Sequence, residues 1–201
     1  MWALKYFGNG SGKMYKRFFK RAIDISVSFT AIIVLIPLWI ILSLLIFVTD
    51  PGKVFFTQER IGKDKKRFKI LKLRTMKASA PKDVPTHLFE NPERYFTPIG
   101  RFLRDSGLDE LPQLFNVLAG QMSLIGPRPA LWNQDDLVEM RDKYNANSVR
   151  PGLTGWAQIN GRDDISMEKK VELDGEYIQK LSFGFDLKCF FGTIGYFFKR
   201  K

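Results

Sequence analysis

The sequence predicts an α+β chain, mostly helical. An N-terminal re-entrant membrane helix-break-helix carries a domain on the cytoplasmic face, with interfacial amphipathic helices. Three observations predict it. Residues 22–49 form an apolar run whose only formal charge is Asp24, and a bilayer takes about 20 such residues. Pro37 sits near the centre of the run, where its ring and its missing N–H disrupt a helix. Basic clusters stand on both sides of it: Lys13, Lys16, Arg17, Lys20 and Arg21 before, and Lys53, Arg60, Lys63, Lys65, Lys66, Arg67 and Lys69 after. Positive flanks favour the cytoplasm, so a helix that breaks at Pro37 and returns keeps both clusters there. A kinked single span is the alternative, and it leaves one cluster on the opposite side.

The boundaries follow from this. Residues 1–13 read as a leader or an added remnant, 14–50 as the membrane element and 51–201 as the domain. Gly12-Lys13 resembles the end of a P-loop, but Phe7 and Met14 occupy positions where that motif needs Gly and Ser or Thr. The chain of 201 residues suits one domain with a real core. Its net charge of +11 points to an anionic partner: lipid headgroups, nucleotide phosphates or nucleic acid. Cys189 is the only cysteine, which excludes an intrachain disulfide and a cysteine-rich zinc site. His87 is the only histidine and stands in a Pro-rich loop, so a Ser-His-Asp triad would rest wholly on it.

Past the membrane element, residues 54–58 read as a strand, Gly62-Lys63-Asp64 as a turn, and 68–76 as a second strand with period-two alternation. Arg74, at the end of that strand, is a candidate phosphate contact, because guanidinium pairs bidentately with phosphate. Residues 78–98 are polar and Pro-rich, a loop, and 99–104 a short amphipathic helix.

Adjacent carboxylates, Asp109 and Glu110, then stand where a helix running to Ala119-Gly120 should begin. Pro112 falls in its first turn, where proline is tolerated. Asp109 or Ser106 can be its N-cap, and the helix dipole there keeps a carboxylate ionised and suits a phosphate. On local pattern a pure cap explains the pair as well as chemistry does. Residues 122–125 are extended. In Gly126-Pro127-Arg128-Pro129 the prolines stiffen the backbone around Arg128, a good phosphate clamp. Residues 133–144 read as a solvated polar helix.

The glycines of 149–162 suggest a loop in which Arg150, Gln158, Asn160 and Arg162 face a polar ligand. Residues 166–180 form a helix on which Asp174 either faces the site or pairs with Lys170. The Phe-rich segment 181–201 reads as an interfacial amphipathic helix or, equally, a core helix.

With His87 as the single histidine, acyl transfer and zinc chemistry have little to work with. Phosphoryl transfer needs a nucleophile, a divalent cation and cationic clamps, and an aspartate can itself be the nucleophile. The rival reading is a non-enzymatic membrane-surface module that binds anionic lipid. Nothing beyond charge speaks for nucleic acid.

The residues also carry a resemblance. Lys20-Arg21-x-x-Asp24, Gln58-x-Arg60-x-Gly62, Lys72-Leu73-Arg74-Thr75-Met76, Leu108-Asp109-Glu110-Leu111-Pro112-Gln113, Gly126-Pro127-Arg128-Pro129 and Arg150-Pro151-Gly152-x-Thr154-Gly155-Trp156 stand in order from Met14 to the C-terminus. Together they closely resemble the bacterial sugar transferase family, in its small monotopic phosphoglycosyl transferase form. The resemblance implies transfer of a sugar-1-phosphate from a UDP-sugar to undecaprenyl phosphate, releasing UMP, at the cytoplasmic face of the bacterial inner membrane. It implies Asp109 as nucleophile and Glu110 as its assistant, both near Mg²⁺. Arg74, Arg128 and Asp174 match family active-site positions, and Arg150, Gln158, Asn160 and Arg162 join them as looser substrate contacts. An N-acetylated amino sugar and a homodimer are further family-based expectations. Many members carry Ser-Pro at the membrane break, where this chain has Ile36-Pro37, so a serine hydrogen bond to the freed backbone is lost.

Overall fold

The computed structural model describes residues 14–81, 89–161 and 164–199. The expected leader, His87 and Arg162 lie outside them. A π-helical turn, Tyr15–Phe19, opens into helix α1, Lys20–Thr49. This helix is long and apolar enough to cross a membrane: its most apolar window has a mean hydropathy of 3.1, and only 11% of that window is buried.

One stripe of α1 packs on the rest of the chain. Arg21 donates to the carbonyls of Val117 and Leu118 at 2.6 and 2.9 Å. Asp24 accepts from the Ser123 hydroxyl and the Leu124 N–H at 3.1 and 3.0 Å, which explains a charge at the head of an apolar run. Further along, Trp39 lies against Phe115, and Leu42 and Ile46 pack with Leu73 and Leu103. The other faces present Ile33, Val34, Ile40, Ile41, Leu44, Leu45 and Val48 outward.

At Pro37, where a break is expected, the chain does not unwind: Lys20–Thr49 is one helical element with the proline inside it, and an interior proline is a site of bending. A proline removes a single N–H from the ladder, and the contacts of Trp39, Leu42 and Ile46 hold the far side in place.

Strands β1, Phe55–Ile61, and β2, Arg67–Leu73, pair antiparallel with Gln58 opposite Ile70 and Arg60 opposite Phe68. Both differ from the expected bounds at their ends. The turn between them puts Asp64 and Lys65 at φ 53° and 60°. Helix α2, Gly100–Asp105, leads into a 3₁₀ turn, Leu108–Glu110, and then helix α3, Gln113–Leu118.

The expected cap is corrected here. Pro112, not Asp109, stands at the N-cap of α3, and no side chain caps it. The Ser106 hydroxyl turns back to the carbonyls of Phe102 and Leu103. The left-handed Gly107, φ 71°, ends α2 and forces a separate tight turn, which carries the carboxylates off the helix axis.

Strand β3, Ser123–Ile125, pairs in parallel with β4, Gly152–Thr154, and helix α4, Asp135–Asp142, lies in the connection between them. The expectation of a solvated helix fails for α4. Leu137, Val138 and Arg141 are buried, and Leu137 and Val138 cluster with Val171, because these three positions form one stripe in a polar composition. Helix α5, Trp156–Ile159, is short, and α6, Met167–Lys180, is capped by Ser166, whose hydroxyl accepts the Lys169 N–H.

Helix α7, Phe183–Lys199, has a buried side and an exposed apolar side. It buries Asp186 and Cys189 while exposing Phe183, Leu187, Phe190, Phe191 and Ile194. Asp186 gathers Tyr15, Lys20 and Tyr177 at 2.6, 2.6 and 2.8 Å, tying α7 to the base of α1 and to α6.

The closely spaced glycines turn out to serve backbone packing. A Cβ on Gly152 would lie 2.1 Å from the Gly126 nitrogen, and one on Gly155 would lie 2.0 Å from the Gly126 carbonyl oxygen. Gly152→Ala should therefore separate β3 from β4 and cost about 3 kcal/mol. A thermal unfolding curve in detergent checks this, and a midpoint equal to wild type would refute the close approach.

Candidate active site

A cleft of about 850 Å³ opens between the β1–β2 hairpin, the Leu108–Glu110 turn, the Gly126–Pro129 loop and one face of α4 and α6. Strand alternation supplies its first cation. Phe68 and Ile70 are buried, and Lys72 continues on that same face of β2. The 3₁₀ turn supplies the two carboxylates, with Asp109 only 5% exposed. Two prolines hold Arg128, and the Pro127 carbonyl is itself pinned by the Gly152 N–H at 2.8 Å.

Adjacent carboxylates meet different surroundings. Glu110 Oε1 accepts from Lys72 Nζ at 2.7 Å and from Arg128 Nη2 at 2.9 Å, while Oε2 has only a long 3.4 Å contact from Arg128 Nη1. Burial alone would raise the Glu110 pKa, but the charges and hydrogen bonds of Arg128 and Lys72 outweigh it and hold it well below the usual range. Asp109 accepts no hydrogen bond from the described residues. Burial raises its pKa; Lys72 opposes the rise and Glu110 reinforces it. The dipole-stabilised anion expected from the sequence is thus replaced by a desolvated one, because the carboxylate sits on a buried turn instead of a helix start.

Of the other expected residues, Arg74, Arg128, Gln158 and Asp174 line the cleft with Asp109 and Glu110. Arg74 is held by Asp50, 3.3 Å from its carboxylate and hydrogen-bonded to its carbonyl. Asp174 is buried under Arg141, which donates to it at 2.9 and 2.7 Å, so its ion-pair partner is Arg141 and not Lys170. Arg150 and Asn160 are corrected. Arg150 donates to the Gly120 carbonyl at 2.7 Å, beyond the end of α3, and Asn160 is exposed and donates back to Trp156 at 2.8 Å; neither lines the cleft. Both serve local backbone carbonyls that the sequence alone leaves unplaced.

Among the described residues no three or more His, Cys, Asp or Glu side chains cluster to hold a metal ion. Mg²⁺ does not need such a cage, since it is commonly held by one or two carboxylates plus substrate phosphates. Asp109 and the Oε2 atom of Glu110 have lone pairs open for that purpose, so the residues present fit it.

The model of the bacterial sugar transferase family matches residues 15–200. The chain belongs to the bacterial sugar transferase family. It is 41% identical over 185 residues to the UDP-glucose:undecaprenyl-phosphate glucose-1-phosphate transferase of Escherichia coli, covering 89% of this chain and 40% of that one. It is 36% identical over 189 residues to the exopolysaccharide production protein ExoY of Sinorhizobium fredii, covering 87% of this chain and 83% of that one. Over 141 residues, 70% of this chain and 68% of the relative, it is 45% identical to an uncharacterized sugar transferase, EpsL, of Bacillus subtilis. The chain therefore spans well under half the length of the Escherichia coli relative.

In this sugar transferase the cleft also holds Lys72, Arg60 and Arg141, which the sequence reading did not single out as site residues. The signal for Lys72 was available: a lysine in phase with Phe68 and Ile70 breaks an inward apolar stripe. Arg60 and Gln58 share a parity on β1 in the same way. Arg141 had no such signal, since its partner lies 33 residues away in sequence.

The carboxylates should respond oppositely to neutralisation. A carboxyl whose folded-state pKa is raised favours folding fully below its ordinary pKa, and that contribution is lost as pH rises through the raised value. Ionised Asp109 thus opposes folding at neutral pH, and Asp109→Asn should unfold at or above the wild-type temperature at pH 7.5, with the difference shrinking towards pH 4. Glu110→Gln removes the negative charge that Lys72 and Arg128 share and should cost about 3 kcal/mol. Differential scanning fluorimetry reads both, and a Glu110→Gln midpoint equal to wild type would refute the pairing.

Proposed function

We propose that the chain transfers a sugar-1-phosphate from a UDP-sugar to undecaprenyl phosphate, releasing UMP, as the first membrane step of surface-glycan assembly. One observation carries this reading: among the described residues Asp109, almost buried and accepting no hydrogen bond, stands in a cleft lined by ten cationic side chains and five carboxylates, its own included. The names of related proteins, which carry undecaprenyl phosphate and UDP-glucose, support it.

The chemistry follows from the charges. An Asp109 oxygen attacks the sugar-bearing phosphorus, the bond to the bridging oxygen breaks, and UMP departs with the electron pair. An oxygen of the lipid phosphate then attacks the same phosphorus and regenerates the Asp109 carboxylate. Both nucleophiles are already anions, so no proton moves, and a site without histidine suffices. Lys72, Arg128 and Arg74 offset the negative charge that gathers around the phosphorus. Mg²⁺ held by Asp109 and Glu110 would further neutralise the phosphoryl oxygens.

The membrane placement is also a proposal. Both ends of α1 rest on the same body that holds the cleft, while its outward faces are apolar. This supports α1 entering the bilayer from the cytoplasmic face and returning to it, which brings a lipid phosphate to the cleft at headgroup depth. Cysteines placed at Lys16 and Lys53 should then be labelled from the cytoplasmic side alike, and labelling from opposite sides would refute the re-entrant path.

Enzyme, UDP-sugar and Mg²⁺ without lipid acceptor should release UMP up to one equivalent, and absence of UMP until acceptor is added would argue for direct attack by the lipid. Only ionised Asp109 attacks, so the rate of this first step should fall at acid pH as Asp109 is protonated. Quenched-flow measurement of UMP release from pH 4 to 8 reads it. A screen of UDP-sugars by the same readout identifies the sugar.

A further inference from the structure

The cleft's cations are not equivalent. Lys72 and Arg128 share Glu110, Arg74 has Asp50, and Arg141 has Asp174. Arg60 has no carboxylate partner among the described residues. Its Nη1 donates to the Pro129 carbonyl at 3.1 Å and its Nη2 to the Gln58 side-chain oxygen at 2.6 Å, both neutral acceptors. Its Nε is shielded from solvent and meets no acceptor among the described residues. A guanidinium taken out of water without a counter-charge is costly, and an anionic ligand removes that cost. The strain is visible in its acidity: burial, reinforced by Arg128, pushes the Arg60 pKa down to about 10, and Glu110 only partly opposes this.

Position narrows the ligand. Arg60 lines the same cleft as Asp109. The charges that act most on Asp109 are those of Lys72, Glu110, Arg104 and Arg128, whereas Arg60 acts on Arg128, Glu110 and Lys72. Arg60 is thus coupled to the charged groups around Asp109 rather than to Asp109 itself. The Pro129 carbonyl that it holds, and the Ile61 N–H bond to the Ala130 carbonyl at 2.9 Å, keep the Arg128 loop against β1.

We propose that Arg60 binds the phosphate of the nucleotide that is not attacked, and stabilises it as the leaving group. This rests on the reading that the chain cleaves a nucleoside-diphosphate sugar. In that step the Asp109 oxygen–phosphorus bond forms and the phosphorus–bridging oxygen bond breaks. The electron pair stays on the bridging oxygen of the departing monophosphate, and the charge that develops there meets the Arg60 guanidinium. Guanidinium matches two phosphate oxygens at once, so the contact also fixes the orientation of the departing group.

The test compares wild type, Arg60→Met and Arg60→Lys in the full chain in detergent micelles. Calorimetry of UMP, pyrophosphate and uridine binding is combined with acceptor KM and unfolding midpoints. Arg60→Met should weaken UMP and pyrophosphate binding on the order of 10- to 100-fold, the size of a lost charged hydrogen bond. Uridine binding and acceptor KM should stay within about twofold, and Arg60→Lys should regain much of the loss. Unchanged UMP affinity with a raised acceptor KM would overturn the proposal and assign Arg60 to the lipid phosphate. Loss of uridine and UMP binding together, with a lowered midpoint and no rescue by lysine, would overturn it in favour of a structural tether. Should wild type release no UMP from any UDP-sugar, the transferase reading fails, while the binding comparison still decides whether Arg60 holds a phosphate.

Discussion

The site depends on how Glu110 is held. Its carboxylate collects Lys72 from β2 and Arg128 from the Gly126–Pro129 loop, and so fastens three separate pieces of chain around one point. A partly buried ion pair of this kind contributes little net stability, but removing one partner leaves the others stranded. Its larger consequence falls on the neighbour. Because Glu110 takes Lys72 and Arg128, Asp109 is left desolvated and accepts no hydrogen bond from the described residues. One carboxylate organises the cleft and the other stands beside it unengaged by those cations.

The apolar helix is joined to this site by a few polar contacts. Arg21 closes the exposed carbonyls at the end of α3, which Arg150 also reaches through Gly120. Asp24 fastens the start of β3, and Lys20 shares Asp186 with Tyr15 and Tyr177. The first turn of α1 is thus a bracket between the apolar surface and the helix that follows the carboxylates. Charged residues at the head of an otherwise apolar run are costly in a bilayer, and these are satisfied by protein groups.

Much of the fold was legible. Alternation marked the hairpin, the helix expected over 166–180 is α6, and the length and apolarity of 22–49 marked α1. The cap at Asp109 was misread because Ser-x-x-Asp before a helix-permissive stretch looks the same whether or not a left-handed glycine intervenes. The glycine cluster was read as ligand-facing, yet its reason is the contact of Gly126 with Gly152 and Gly155, a crossing of strands far apart in sequence. Within the site, Asp109, Glu110 and Arg128 were legible from unusual local spacing. Arg150 and Asn160 were not separable from them, because a polar residue beside glycine gives no sign of whether it faces a ligand or a carbonyl.

The residue order alone was enough to establish the apolar helix, the basic character, the adjacent carboxylates and the family, because each is a local pattern or a string of motifs. Folding assigned the counter-ions. Glu110 pairs with residues 38 and 18 positions away, Asp174 with one 33 away, and Arg60 with no carboxylate among the described residues. Pairing of charges is set by distance in space, and the hairpin, the tight turn and the proline-stiffened loop create those distances only once they pack together.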